Sequence, residues 1–370
     1  MAKQSMLAKS ALPALDMYCR KANTRSLRKL AYSLGAGLGT NKTSLRSNIM
    51  NQAISLNELR QRQLDQGKIS VTSIDLGISN FAYAKFEMTL GEELPKLLEW
   101  NKFQLEEEFL KSKFKERMSL HPTDTSEVVY NLCEYLTARK KLPDMFTIER
   151  QRSRSMSSRS ILEPILKVNI LEQILFSNLL NKSRYSQKGA LNYMVASSDP
   201  QRMTSYWNSV MPLKDSIKRS YSKAEEEETK TNGLSNRISK TTKIVTVKKI
   251  LEGALGIGDY KYISLSPDWS KRLESFIPGN PKFKLYDCAP LGPTSGMKKD
   301  DDLADSFLHG LAWIEWLKFY GQIREIVMRK EGKYDQTVLA AFNDTIKSNK
   351  LDVNNLNDAQ TTIHHKRISS

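Results

Sequence analysis

Histidine is scarce in this chain, with four in 370 residues, at His121, His309, His364 and His365. So few argue against a zinc centre and against a nuclease built on a histidine general base. Cysteine is scarcer still. Cys19, Cys133 and Cys288 are odd in number and far apart, so they offer neither a zinc spacing nor a disulfide framework, and they point to a reducing compartment. No stretch approaches the roughly 18 consecutive apolar residues of a membrane span, so no membrane partner is expected. Acidic charge is outweighed, 41 Asp and Glu against 57 Lys and Arg, leaving a net +16 and a pI near 9.5. A balance this basic points to a polyanionic partner, of which nucleic acid is the commonest. A ribosomal or chromatin-like binder, or simple solubility, is the plainer reading of charge alone.

Acids are nearly missing from the first thirty residues, where Asp16 stands alone against Lys3, Lys9, Arg20, Lys21, Arg25, Arg28 and Lys29. Such a segment fits import into the mitochondrial matrix, and it fits a basic DNA-binding helix equally. Helices are expected near 11–22 and 24–36, with Leu27, Leu30 and Leu34 marking one face of the second. Gly35, Gly37 and Gly39 break the pattern, and Lys42, Leu45 and Ile49 resume it. A helix–glycine–helix unit carrying Lys42 suits a DNA backbone, because a cation neutralises phosphate without reading sequence. It suits a packing hairpin just as well. Residues 56–67 read as a helical connector.

From residue 68 the pattern becomes mixed α/β. Lys68–Leu76 is rich in β-branched residues and reads as a buried strand; Phe81–Met88 alternates, and Leu98–Phe103 follows. The short Gly77–Asn80 connection suits a hairpin. A helix is expected over Thr125–Arg139, a fourth strand over Asp144–Glu149, a long helix over Ile161–Leu180 and a fifth strand over Tyr193–Ser197. Residues 214–242 carry serine, lysine and the acidic run Glu225–Glu228, and read as a flexible insertion. Helices return at Ile244–Leu255 and Asp302–Phe319, the latter with Leu303, Phe307, Leu311 and Ile314 on one face. The expected fold is a five-stranded mixed sheet flanked by helices over 68–349, with a polar tail over 350–370.

Three separated segments place carboxylates where a metal site can be assembled. Asp75 ends the first strand, facing away from Ile74 and Leu76, and Gly77 keeps the adjoining backbone clear. Glu149 ends the fourth strand on the face of Thr147, opposite Phe146 and Ile148. In KKDDDLADSFLHG, Asp302 and Asp305 share a helix face at a spacing of three, as Asp301 and Asp305 do at four. Phosphodiester hydrolysis explains such a collection: two Mg²⁺ ions, with Mn²⁺ as a substitute, clamp the attacking and departing oxygens. Most of these acids have a plainer role as well. A strand-end aspartate makes turns, Glu149 followed by Arg150 suits a surface ion pair, and acids in a helix's first turn suit its dipole. Asp305 is less easily dismissed, because it lies a turn further in and next to the apolar face.

The blocks SIDLGISNFAYAKF, DMFTIERQRSRSMSSRSILEPILKVNILEQILFSNLL and KKDDDLADSFLHGLAWIEWLK resemble the mitochondrial Holliday-junction resolvases, relatives in fold of bacterial RuvC within the ribonuclease H-like superfamily. The likeness runs from about residue 10 to residue 320. The segment SLRKLAYSLGAGLGTNKTSLRSNI is similar to the SAP-type DNA-binding helices that precede this nuclease domain, which implies a SAP-like unit over residues 1–55. The resemblance also implies a homodimer that makes paired nicks in four-way DNA junctions. It implies catalytic and metal-ligand roles for Asp75, Glu149, Asp302 and Asp305, with Asp301 or Asp302 as the fourth ligand.

Basic residues gather near these acids. Arg150, Arg152, Arg154 and Arg159 follow Glu149 directly and are suited to grip phosphates, although a solvated loop would carry them as well. Ser198, Gln201 and Arg202 follow the fifth strand and are expected along the same cleft. Lys240, Lys243, Lys248 and Lys249 form a basic helix suited to tracking a backbone. The function expected is a junction-resolving endonuclease. A hybrid-cleaving ribonuclease and a non-catalytic mitochondrial DNA-binding or architectural protein are the alternatives.

Overall fold

The structure is a computed structural model that describes residues 10–77, 80–110, 122–138, 142–151, 163–185, 191–211, 240–290, 299–330 and 335–349. Its described residues fall into two compact units. One is drawn from 1–65, 201–242 and 312–370, the other from 66–200 and 243–311.

The second unit is built on a mixed sheet. Strands β1 (Lys68–Leu76), β2 (Asn80–Thr89) and β3 (Lys96–Gln104) form an antiparallel meander. Strands β4 (Met145–Glu149) and β5 (Met194–Ser198) add parallel to β1, on its other side. With a short sixth strand β6 (Ser264–Leu265) at one edge, the spatial order β5-β4-β1-β2-β3-β6 contains the ribonuclease H-like arrangement: a three-stranded meander followed by two parallel strands. The sheet has six strands where five are expected. The addition, β6, pairs with the start of β3; two residues before a helix-starting Pro267 are too short to show any alternation.

Which strand sits centrally follows from burial on both faces. In β1 every residue after Lys68 is buried, and β4 is buried throughout. On one face Ile74, Leu76, Phe146 and Ile148 join a core with Val128, Leu132 and Leu136 of α5 (Pro122–Thr137) and Leu171, Leu175 and Leu179 of α6 (Glu163–Tyr185). Leu171 and Leu175 thus turn one face of α6 into this core, while Ile161, the expected start of the helix, lies outside the described residues. On the opposite face Phe307 of helix α11 (Asp301–Arg329) meets Phe86 of β2 edge to face at 5.1 Å. It meets Trp100 of β3 at 5.3 Å, and the Trp100 indole donates to the Leu303 carbonyl.

One glycine sets how closely α11 lies on the sheet. A Cβ at Gly310 would stand 2.9 Å from the Phe86 ring and 3.0 Å from the Ser73 Cβ. Helix α11 continues ten residues past the expected end at Phe319, because Ile323 and Val327 prolong the buried face.

The first unit is helical. Helices α1 (Leu12–Lys21) and α2 (Thr24–Leu34) bury Leu15, Tyr18, Leu27, Leu30 and Leu34. Helix α3 (Lys42–Gln66) runs without a break across residues 55 and 56, where a boundary between helices and connector is expected. Gly35 ends α2 in the left-handed region at φ 70°, and its missing side chain leaves room for the Trp316 ring. Tyr18 packs edge to face on Phe342 of α12 (Gln336–Ser348) and donates to Asn343. The expected insertion lies outside the described residues from 214 to 239; residues 240–242 open helix α8 (Lys240–Ala254). The tail over 350–370 also lies outside them. No described helix is long and apolar enough to cross a membrane.

Gly310→Ala tests the close approach of α11. Helix propensity alone favours alanine by about 1 kcal/mol, whereas overpacking costs about 1–3 kcal/mol. Thermal unfolding should show Gly310→Ala less stable than wild type, and Gly310→Val less stable again; a stabilised alanine variant would mean that α11 does not bear on Phe86 and Ser73.

Candidate active site

Asp75 and Glu149 meet because of strand register. Ile74 of β1 pairs with Ile148 of β4 in parallel, so the next residue along each strand ends side by side with its neighbour, on the face opposite the isoleucines. That is the face on which Gly310 reaches Ser73. Helix α11 therefore delivers Asp305 to the same place. Among the described residues, Asp75, Glu149 and Asp305 form a group whose ligand-type oxygens all lie within 4.8 Å of one another.

Such crowding has an electrostatic cost. Burial, and then the charges of Glu149, Asp305 and Asp302, push the Asp75 carboxyl well above the usual carboxylate range. Burial and the Glu149 charge push Asp305 up to about 7. Burial works in the same direction on Glu149, but His309, Lys243 and a hydrogen bond with Asp75 outweigh it and hold that carboxyl low. Without a metal, then, the crowding favours the protonated form of Asp75 and the ionised form of Glu149.

Two lysines and a histidine surround the acids. The Lys243 ammonium of α8 pairs with Asp305, and the attraction of Asp305, Glu149 and Asp75 raises its pKa in spite of its burial. Lys102 of β3 is fully buried, lies 2.6 Å from Asp302 and donates to the Lys299 carbonyl at 3.0 Å. Asp302 also accepts from Asn80 at 3.3 Å. His309, four residues beyond Asp305, is fully buried. Its Nδ1 is 2.6 Å from the Ser198 hydroxyl and its Nε2 is 3.6 Å from Glu149 Oε2, without a hydrogen-bond partner.

The expected site residues divide into several groups. Asp75, Glu149 and Asp305 converge, and Asp302 stands beside them, tied to Lys102 and Asn80. Asp301 is half-buried in the first turn of α11. Lys243 sits in the acidic centre itself. Lys248 lies over the Phe283 ring at 4.6 Å. Arg202 turns toward Gly35, donating to its carbonyl at 3.3 Å, and Ser198 is spent on His309. Arg150 is exposed, its guanidinium 3.9 Å from Asp199, while its backbone is pinned by the Ser198 carbonyl. Lys42 and Lys240 are exposed at the starts of α3 and α8. Arg152, Arg154 and Arg159 lie outside the described residues. His309 and Lys102 are absent from the expected set; only the spacing of four from Asp305 to His309 in DSFLHG hinted at the first.

Three carboxylates present hard oxygen donors, and the unpartnered buried Nε2 of His309 faces one of them. This donor set fits a hard divalent cation held by Asp75, Glu149 and Asp305. The raised pKa of Asp75 has a consequence for the metal-free protein. Its stabilising protonated form is fully present below about 4 and is lost as pH rises through the raised value. In chelator-treated protein, Asp75→Asn should therefore raise the melting temperature by a few degrees at pH 8 (roughly 2–4 °C per kcal/mol), with the gain fading toward pH 4. A variant less stable at every pH would show that Asp75 carries no such penalty.

Comparison with known proteins identifies the family. A family model described as mitochondrial resolvase Ydc2 / RNA splicing MRS1 matches residues 71–323. Over 328 residues the chain is 45% identical to the mitochondrial cruciform cutting endonuclease 1 of Saccharomyces cerevisiae, covering 86% of this chain and 89% of that protein. It is 26% identical to the mitochondrial RNA-splicing protein MRS1 of Saccharomyces paradoxus over 357 residues, 94% of this chain and 95% of the relative. The crystal structure of the yeast mitochondrial Holliday junction resolvase Ydc2 aligns with a TM-score of 0.48 at 19% identity, covering 83% of this chain and 100% of that one. With a family model matched over more than half its length and a relative this similar along most of both chains, the chain belongs to the Ydc2/MRS1 family of mitochondrial resolvases and RNA-splicing proteins.

Proposed function

We propose that this chain is a structure-selective endonuclease that resolves four-way DNA junctions in mitochondria by metal-dependent phosphodiester hydrolysis. The observation that carries the reading is the convergence of Asp75, Glu149 and Asp305 on a ribonuclease H-like sheet. A binding protein gains nothing from gathering buried acids that repel one another and the phosphates. The 45% identity to a cruciform cutting endonuclease favours the junction as substrate.

In this reading Asp75, Glu149 and Asp305 hold magnesium, two ions per centre, with manganese as a substitute and Asp302 or Asp301 as a further ligand. Bound there, the divalent metal supplies an activated water and neutralises charge on the phosphate in an in-line displacement. The chain's own residues prepare the centre for this. His309, braced by Ser198, faces the Glu149 carboxylate and restrains its orientation. Lys102 holds Asp302 at the centre's edge.

Arg150 leaves β4 directly after Glu149 with its side chain exposed, which suits it to a phosphate next to the scissile one. Lys42, Lys240, Lys248, Arg202 and the arginines at 152, 154 and 159 make up the remaining proposed DNA contacts, and residues 1–55 the proposed SAP-like unit. Paired nicks require two centres on one junction, hence a homodimer, and the expected compartment is the matrix.

Asp75→Asn and Glu149→Gln should each lower junction cleavage by about 100-fold or more while retaining junction binding. Binding without cutting by the wild type, or a preference for RNA–DNA hybrids over junctions, would overturn the proposal. Arg150→Ala should weaken junction binding and reduce its salt dependence by about one ion; an unchanged slope would remove Arg150 from the phosphate contacts.

A further inference from the structure

Two lysines face the acids of α11, and they are held differently. Lys102 is fully buried, with both Asp302 and the Lys299 carbonyl as partners, so it is a fixed part of the wall. Lys243 is different. It lies in the first turn of α8 with its side chain 14% exposed, and its ammonium reaches into the triad to pair with Asp305. There it is attracted to all three triad carboxylates. A divalent cation using an Asp305 oxygen would meet a positive charge already in contact with that carboxylate, and two cations cannot share such a gap without strong repulsion.

We propose that Lys243 is a built-in counter-cation that competes with the divalent metal for the triad and is displaced when the metal binds. The proposal rests on the metal-binding reading of the triad given above. The lysine keeps the carboxylates neutralised while the centre is empty of metal, and it thereby lowers the centre's affinity for the ion. Loading breaks the Lys243–Asp305 pair and sends the ammonium toward solvent, which its partial exposure and four-carbon stem allow. In this respect Lys243 is a positioning residue acting through Asp305.

Mn²⁺ binding to the full chain, followed by the loss of the free-ion electron paramagnetic resonance signal at pH 8.5, tests this without reference to cleavage. Lys243→Met should bind Mn²⁺ at least about ten-fold more tightly than wild type, because a competitor is gone, and Lys243→Arg should stay close to wild type because the charge remains. Thermal unfolding supplies a second readout. Metal-free Lys243→Met should melt below wild type, and a fixed excess of Mn²⁺ should raise its melting temperature by more, since stabilisation grows with the ratio of ligand to dissociation constant. Equal or weaker Mn²⁺ binding by Lys243→Met, in protein whose binding is still lost in Asp75→Asn, would overturn the competitor role and leave the metal site standing. Wild-type binding that Asp75→Asn does not reduce would overturn the metal-site reading and this proposal together.

Discussion

Buried carboxylates repel, and Asp75, Glu149 and Asp305 are held within one ligand-sized gap. That repulsion is the constraint around which the second unit is arranged. It is eased in three ways at once: crowding favours the protonated form of Asp75, the His309 ring faces Glu149, and Lys243 pairs with Asp305. Each gives an acid a neighbour other than the carboxylate beside it. A divalent cation is the remaining partner, and the one for which three oxygen donors are suited.

The scaffold keeps the acids from separating. Parallel pairing of β1 and β4 fixes Asp75 and Glu149 relative to one another, and the side-chain alternation of the strands sends their apolar neighbours Ile74 and Ile148 into the opposite core. Phe307 against Phe86 and Trp100, with Gly310 over Ser73, holds α11 on the remaining face. The helix therefore cannot move outward to relieve Asp305 without opening aromatic packing. Close packing converts an unfavourable electrostatic arrangement into a stable one.

Much of this arrangement is visible in the sequence, because its signals are local. The β-branched run ending at Asp75, the buried run ending at Glu149 and the helical spacing from Asp302 to Asp305 each follow from the period of a single element. Their convergence follows only from the family resemblance, since no local pattern specifies which strands pair. What escaped depends on tertiary placement. Lys102 looks like an ordinary alternating residue of WNKFQL, yet strand register buries it against Asp302. Lys243 reads as one more lysine of a basic helix, and only the packing of α8 brings it to Asp305. The scarcity of histidine argues against histidine chemistry and gives no pointer to His309, yet a single histidine in the right place suffices to face Glu149.

The central claim is that Asp75, Glu149 and Asp305 together form one divalent-cation centre. Crystals soaked in Mn²⁺ and measured for anomalous scattering address it directly. The account predicts a peak with oxygens of all three residues at coordination distance, absent from crystals of Asp75→Asn treated in the same way. A map with no peak among these carboxylates at saturating Mn²⁺, or with manganese bound only elsewhere on the chain, would contradict it.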